Sequence, residues 1–172
     1  DGTPAEFSDE IFTVTVAAVN DAPTMSAIDV PEPVQEDGDN IVVIVTPEDV
    51  DAGDELTVSI ATTNNAMFPD GSITLDQAMP VDSGQTVTVT LDPAPNANGS
   101  ATVTVNVTDE LGSGAVQQFT VTVDEVNDAP MATNAAIVPA IPDNNDNLLL
   151  NYIFYDVDGD DESGTTINWY KD

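Results

Sequence analysis

Asp124-Glu125-Val126-Asn127-Asp128-Ala129-Pro130 follows directly on an alternating apolar run, Phe119, Val121 and Val123. A shorter copy, Val19-Asn20-Asp21-Ala22-Pro23, follows the run Phe12, Val14 and Val16. Val126 stands 107 positions after Val19, and Phe119 stands 107 after Phe12. The next acidic cluster keeps step: Asp49-Val50-Asp51 recurs as Asp156-Val157-Asp158 at the same spacing. Self-similarity at a fixed period marks a tandem array, with the acidic stretches as its linkers. One period is the size of a common domain. The 172 residues read as the C-terminal strand of a preceding repeat plus linker (1–22), a complete β-sandwich (23–129) and the N-terminal part of a third domain (130–172).

Working outward from the linker, residues 24 to 124 contain seven short runs with strand character. They cover Met25 to Val30, Asn40 to Thr46, Glu55 to Ile60, Ser72 to Leu75, Thr86 to Leu91, Ala101 to Thr108 and Val116 to Val123. Most alternate apolar residues with Thr, the pattern of half-buried strands. Asn40 to Thr46 is nearly continuous in apolar residues and is expected to be buried on both faces. Turn signals separate the runs: Asp37-Gly38, Asp70-Gly71, Ser83-Gly84, Asn98-Gly99 and Gly112-Ser113-Gly114. No stretch has a helical period. The expected fold is all-β, with tandem immunoglobulin-like, seven-stranded Greek-key β-sandwiches. Glu10 to Val16 reads as the last strand of the preceding repeat. Leu148 to Tyr155 and Ile167 to Tyr170 read as strands of the third domain, which cannot bury its apolar residues alone. Further chain, or strand exchange with another copy, would complete it.

Charge narrows the partners. Lys and Arg together number 1 against 32 Asp and Glu, a formal charge of −31. Such a chain repels nucleic acid and anionic membrane, and it needs cations or salt to relieve its own repulsion. With 41% apolar residues in alternating runs, it is not a disordered acidic tail. It contains no Cys and no His, which removes disulfides, thiolate chemistry and ordinary zinc sites.

Strand parity sorts the acids into two groups. If strands alternate up and down, Asp21, Asp49, Asp51 and Asp109 meet at one pole of the sandwich. Glu36, Asp92, Asp124 and Asp128 meet at the other, facing Asp156 and Asp158 of the next domain. Two carboxylates about 4 Å apart repel by about 1 kcal/mol in water and by more at reduced dielectric. A hard divalent cation removes that cost. Calcium (Ca2+) takes six to eight oxygens in loose geometry, whereas magnesium demands a smaller octahedron.

The residues themselves now carry a resemblance. Asp124 to Pro130 resembles the cadherin linker, DxNDNxP. Asp49-Val50-Asp51-Ala52-Gly53, followed by Leu56 to Ile60, resembles the cadherin DxDxG strand motif. Pro93 to Gly99, the strand Ala101 to Thr108 and Asp109 resemble bacterial cadherin-like tandem repeats of large secreted adhesins and biofilm proteins. The resemblance implies calcium between successive domains. At the second joint it implies Glu36, Asp124, Asn127, Asp128, Asp156 and Asp158 as ligands, with Asp92 a positional substitute. At the first joint it implies Asn20, Asp21, Asp49, Asp51 and Asp109. Ala22 and Ala129 replace the second Asn of the linker, and Ala17 stands where Asp124 stands, so the first joint is the poorer in ligands.

These features give the expectation of a non-enzymatic, calcium-rigidified spacer in an extracellular, cell-surface protein. Its partners would be neighbouring repeats and cell-surface or extracellular polysaccharide. The competing expectation is a carbohydrate-binding module, which needs an exposed aromatic platform. Within 24 to 124 only Phe68 and Phe119 are aromatic, and Phe119 alternates with core valines, so Phe68 is the one candidate there. Asp156 to Glu162 lacks the Gly and Glu of an EF-hand loop. Asp82-Ser83-Gly84 lacks the second copy that an aspartic-protease pair requires.

Overall fold

The computed structural model describes residues 2, 11–51 and 53–170. Among them the chain forms strands and no helix, hence no helix long and apolar enough to cross a membrane. The strands are β1 (Thr24–Met25), β2 (Val34–Gln35), β3 (Ile41–Val45), β4 (Pro47–Glu48), β5 (Glu55–Thr62) and β6 (Ile73–Leu75). They continue as β7 (Val81–Asp82), β8 (Val87–Leu91), β9 (Gly99–Thr108), β10 (Gly114–Asp124), β11 (Met131–Val138) and β12 (Leu149–Tyr155).

Two sheets face each other. One has the order β2-β10-β9-β5-β7 and the other β3-β8-β6, while β1 pairs with β4. Inward positions alternate with Thr, as the period-two pattern requires. Val87, Val89 and Leu91 of β8 face Val103, Val105 and Val107 of β9, all 0% exposed. Leu56, Val58, Val121 and Val123 extend the same core. Each such side chain contributes about 1.5–3 kcal/mol by leaving water. Met67 and Phe68, on the β5–β6 connection, are also buried in this core. Phe68 is therefore a core residue and no sugar platform.

Three expectations need correction. The first strand, read as Met25 to Val30, is broken into β1 and β2. Pro31 and Pro33 lie between them, and proline cannot donate to a ladder. After β1, which lies beside β4, the chain crosses to the five-stranded sheet, where β2 runs parallel to β10 with Val34 opposite Val123. Second, β3 is not buried on both faces. Ile41, Val43 and Val45 are buried, but Val42 and Ile44 are 54% and 58% exposed, because no further layer covers that side of the three-stranded sheet. Third, residues 11–16 and 167–170 form no strand. Neither has a ladder partner among the described residues, and a strand without one leaves its backbone groups to water. Glu10, which would begin the first of these, lies outside the described residues.

Beyond Pro130 the chain repeats its opening. The pairs Thr24↔Glu48 and Met25↔Pro47 of β1 and β4 recur as Met131↔Tyr155 and Ala132↔Phe154 of β11 and β12. Each partner has moved by the same 107 positions. The period seen in the acids is thus a period in backbone register.

Candidate metal centre

At the N-terminal pole, the β4–β5 turn carries Asp49, Asp51 and Asp54, and the β9–β10 turn carries Asp109. Both turns are shaped by their own carboxylates, as Asp commonly does in tight connections. The Asp51 N–H donates to Asp49 Oδ1 at 2.9 Å. The N–H groups of Leu111 and Ser113 donate to Asp109 Oδ1 at 2.9 and 2.8 Å. The incoming linker docks onto these carboxylates. Asn20 Nδ2 donates to Asp109 Oδ2 at 2.9 Å, and the Asp21 N–H donates to Asp51 Oδ2 at 2.7 Å.

Carboxylate oxygens of Asp49, Asp54 and Asp109 lie within 4.8 Å of one another. Asp109 is buried at 7% exposure. The second oxygen of Asp49, Oδ2, is also buried and has no hydrogen-bond partner, and an unpaired buried acceptor generally costs about 1–3 kcal/mol. Desolvation, followed by the charges of Asp49, Asp51, Asp109 and Glu110, raises the pKa of Asp54. The Asn20 amide, helped by the Ser113, Leu111 and Gly112 backbone, lowers that of Asp109.

At the C-terminal pole, Glu36 is 2% exposed. Its Oε1 accepts the Val126 N–H at 2.8 Å and its Oε2 accepts Asn98 Nδ2 at 3.2 Å. Its own N–H donates to the Asp124 carbonyl at 2.9 Å. Glu36 thus clasps the outgoing linker. Two residues later the Asp128 N–H donates to Asp158 Oδ2 at 2.5 Å, so the linker is held from both sides. Asn96, its amide oriented by its neighbours, reaches Asp37 at 3.0 Å and Asp128 at 3.1 Å. Desolvation, then Asp158, Asp37, Glu36 and Asp156, raises the pKa of Asp128. Asn127, Asp128, Asp156, Asp160 and Asp161 line an open cleft of about 450 Å³.

The two joints share one hydrogen-bond plan. Asn20 to the Asp21 carbonyl becomes Asn127 to the Asp128 carbonyl. Asp21 to Asp51 becomes Asp128 to Asp158, and Asp51 to Asp49 becomes Asp158 to Asp156.

Asn20, Asp21, Asp49, Asp51 and Asp109 therefore meet at one pole, and Glu36, Asn127, Asp128, Asp156 and Asp158 at the other. Asp124 is exposed and joins its cluster through its backbone carbonyl. Asp92 lines a separate cleft of about 210 Å³ with Gln35, Asp37 and Asp39. Sequence reasoning missed Asp54, Asp37 and Asn98, and it put Asn96 in a turn at this pole without counting it among the ligands. Asp54 had a signal, because Asp161 stands 107 residues after it.

Two outcomes follow from this electrostatic arrangement. Asp54→Asn removes one of three crowded charges, so the metal-free protein should melt higher than the parent while gaining less from calcium. Paired melts with chelator and with calcium check both signs, and an equal calcium gain would remove Asp54 from the site. The second outcome concerns pH. Asp54 and Asp128 penalise the fold while charged, and that penalty lifts as the pH falls through their raised pKa values, above 3.8. Asp109 and Asp76, the latter lowered mainly by the Thr88 N–H, contribute stability that is lost as the pH falls through values below 3.8. Metal-free protein should melt higher on the acid side of neutrality than at neutral pH, and lose stability again as the pH falls further through the lowered pKa values of Asp109 and Asp76. A melting temperature that falls steadily from neutral pH downward would contradict this.

Three solved structures share the sandwich outline. The N-terminal Ig1-2 module of the Drosophila receptor protein tyrosine phosphatase DLAR matches at TM-score 0.44 and 12% identity, covering 67% of this chain. This chain spans 57% of that module's length. The BIgI domain of beta protein from S. agalactiae, solved bound to CEACAM1, matches at TM-score 0.41 and 19% identity, covering 60% of this chain and 99% of that one. The protocadherin gammaB7 EC3-6 cis-dimer matches at TM-score 0.44 and 16% identity, covering 64% and 26% respectively. At such scores these likenesses carry no functional argument. No curated protein matches the chain. The bacterial Ig domain model matches residues 20–124, well over half the chain, and the chain belongs to that family.

Proposed function

We propose that the chain is a calcium-rigidified spacer from a long extracellular bacterial surface or adhesion protein, divided into repeats at residues 1–22, 23–129 and 130–172. The observation that carries this reading is the convergence of Asp49, Asp54 and Asp109 oxygens within 4.8 Å, beside an Asp49 oxygen that is buried and unpartnered. The sequence holds one basic residue, Lys171, so neutralising charge must come from solution. Every donor at both poles is a hard oxygen, the chemistry calcium accepts. At the first joint Asp49, Asp54 and Asp109 would hold the ion, with Asn20, Asp21 and Asp51 around them. At the second, Asp128, Asp156 and Asp158 would hold it, with Glu36 and Asn127 adjoining. A bound ion supplies a positive charge shared by acids from both sides of a joint.

The chain's own residues do the rest. The Glu36 and Asp158 clasps fix where the linker leaves one sandwich and enters the next. Asn20 and Asn127 fold the linker back on its own carbonyl. Small-angle scattering tests the proposal: chelation should shorten the particle, and an unchanged profile would defeat it. A carbohydrate platform within residues 24–124 loses support, because Phe68 and Phe119 are both buried.

A further inference from the structure

The chain after Pro23 begins on one sheet and crosses to the other. Thr24 and Met25 pair with Glu48 and Pro47, and the Ser26 N–H donates to the Thr46 carbonyl at 3.0 Å. The pairing stops there, and Val34 and Gln35 lie beside Val123 and Asp124. Gln117 of β10 holds the crossing. Its Nε2 donates to the Ser26 carbonyl at 2.9 Å, and its Oε1 accepts the Ile28 N–H at 3.3 Å. Backbone groups point to alternate sides along a strand. Thr46 faces β1, so Val42 and Ile44 aim theirs at the same side. Among the described residues, no backbone bond outside the β3–β8 ladder reaches Ile41–Val45.

The third unit fills that side. Its ladder starts as in the second unit, with Met131↔Tyr155 and Ala132↔Phe154, and passes a bulge after Thr133. It then resumes as Ala136↔Asn151, Ile137↔Leu150 and Val138↔Leu149. Moved back by 107 positions, these pairs are Asp29↔Ile44, Val30↔Val43 and Pro31↔Val42. The segment that crosses in one unit thus lies along the strand edge in the other. Two residues differ accordingly. Asn134, at φ 53°, stands where the second unit has Ala27, and Asn tolerates positive φ better than Ala. Val138 stands where the second unit has Pro31, which has no N–H to give to Val42.

We propose that residues 26–36 form a strap with two alternative seats. One is the observed seat on β10. The other is the β3 edge, in the register Val30↔Val43. The seats exclude each other. On β10 the strap places Glu36 so that its N–H meets the Asp124 carbonyl and its Oε1 accepts the Val126 N–H. On β3, Val34 and Gln35 pass into the connecting loop, as Ile141 and Pro142 do in the third unit, and Glu36 releases Val126. Val30, 64% exposed on the crossing, then lies across from the buried Val43. The strap therefore couples the strand that follows the incoming linker to the clasp on the outgoing one. Ala27, Pro31 and Gln117 keep the second seat the minor one. The device uses no ion and stands or falls apart from the calcium reading.

Amide exchange on the 172-residue chain tests this. Ala27→Asn with Pro31→Val should make the second seat the major one. Protection of the Val42 and Ile44 N–H groups should then rise about tenfold, while that of the Val126 N–H falls about tenfold. The opposite signs are the signature, because simple loosening lowers all three. Ile44→Pro in that background removes an N–H that only the second seat uses, and it should return Val126 to the parent's protection. Neither Ala27 nor Pro31 belongs to the core, and slow exchange at Val103 and Val105 confirms that the variant is folded. Ala27→Asn alone is the milder change and should move the same amides in the same directions by less. Protection that falls at all three amides, or changes at none, overturns the proposal. So does a Val126 that Ile44→Pro fails to restore.

Discussion

Calcium at about one hundred times its dissociation constant should stabilise the sandwich by about 2.7 kcal/mol for each ion held only by the folded state. For a domain of this size that raises the melting temperature by about 10–20 °C. Extracellular modules hold calcium at about 10⁻⁴–10⁻³ M, so the gain should appear at millimolar calcium and vanish on chelation. The physical source is the crowding described at both poles. Asp49, Asp54 and Asp109 already sit within 4.8 Å of one another, so the cost of assembling them is met by folding. Magnesium should give a smaller gain, because these turns offer no strict octahedron. Calorimetric scans of chelated, magnesium-loaded and calcium-loaded protein check the order. Equal melting temperatures in all three would leave a charged sandwich with no ion at its joints.

Phe119→Ala should cost about 3–5 kcal/mol. Phe119 is 7% exposed on β10, directly across from Val103 of β9, and both belong to the core. Its ring is the largest side chain that β10 contributes, and the strand pairs with β9 from Gly114↔Thr108 to Val123↔Gly99. Truncation leaves a cavity that this ladder cannot collapse to fill. Denaturant titration should show a lower midpoint with an unchanged slope, since the same surface is exposed on unfolding. A loss below about 1 kcal/mol would mean that the ring is not packed as described.

Much of this was legible because the chain writes its strands with Val and Thr in strict alternation. β8, β9 and β10 fall where period two places them, since each has one face in the core and one in water. β3 was misread because a continuous apolar run fits a strand covered on both faces and also an edge strand with an apolar outer side. Sequence period cannot separate the two. The break between β1 and β2 had a signal in Pro31 and Pro33, but which sheet the chain joins afterwards depends on three-dimensional closure. The grouping of Asp21, Asp49, Asp51 and Asp109 followed from strand parity alone. Asp37 did not, because it occupies a left-handed turn conformation, φ 57°. Such a turn aims its side chain in a direction that parity does not encode.

The parallel pairing of β2 with β10 has a mechanical meaning. The chain enters the sandwich above β1 and leaves below β10, so tension on a strand of such repeats draws β2 and β10 in opposite directions along their length. The Val34↔Val123 and Gln35↔Asp124 pairs, with the adjoining Glu36 bond to Asp124, are then loaded in shear. They must fail together rather than unzip one after another. The latch that resists pulling therefore lies within a few residues of the linker, where the force arrives.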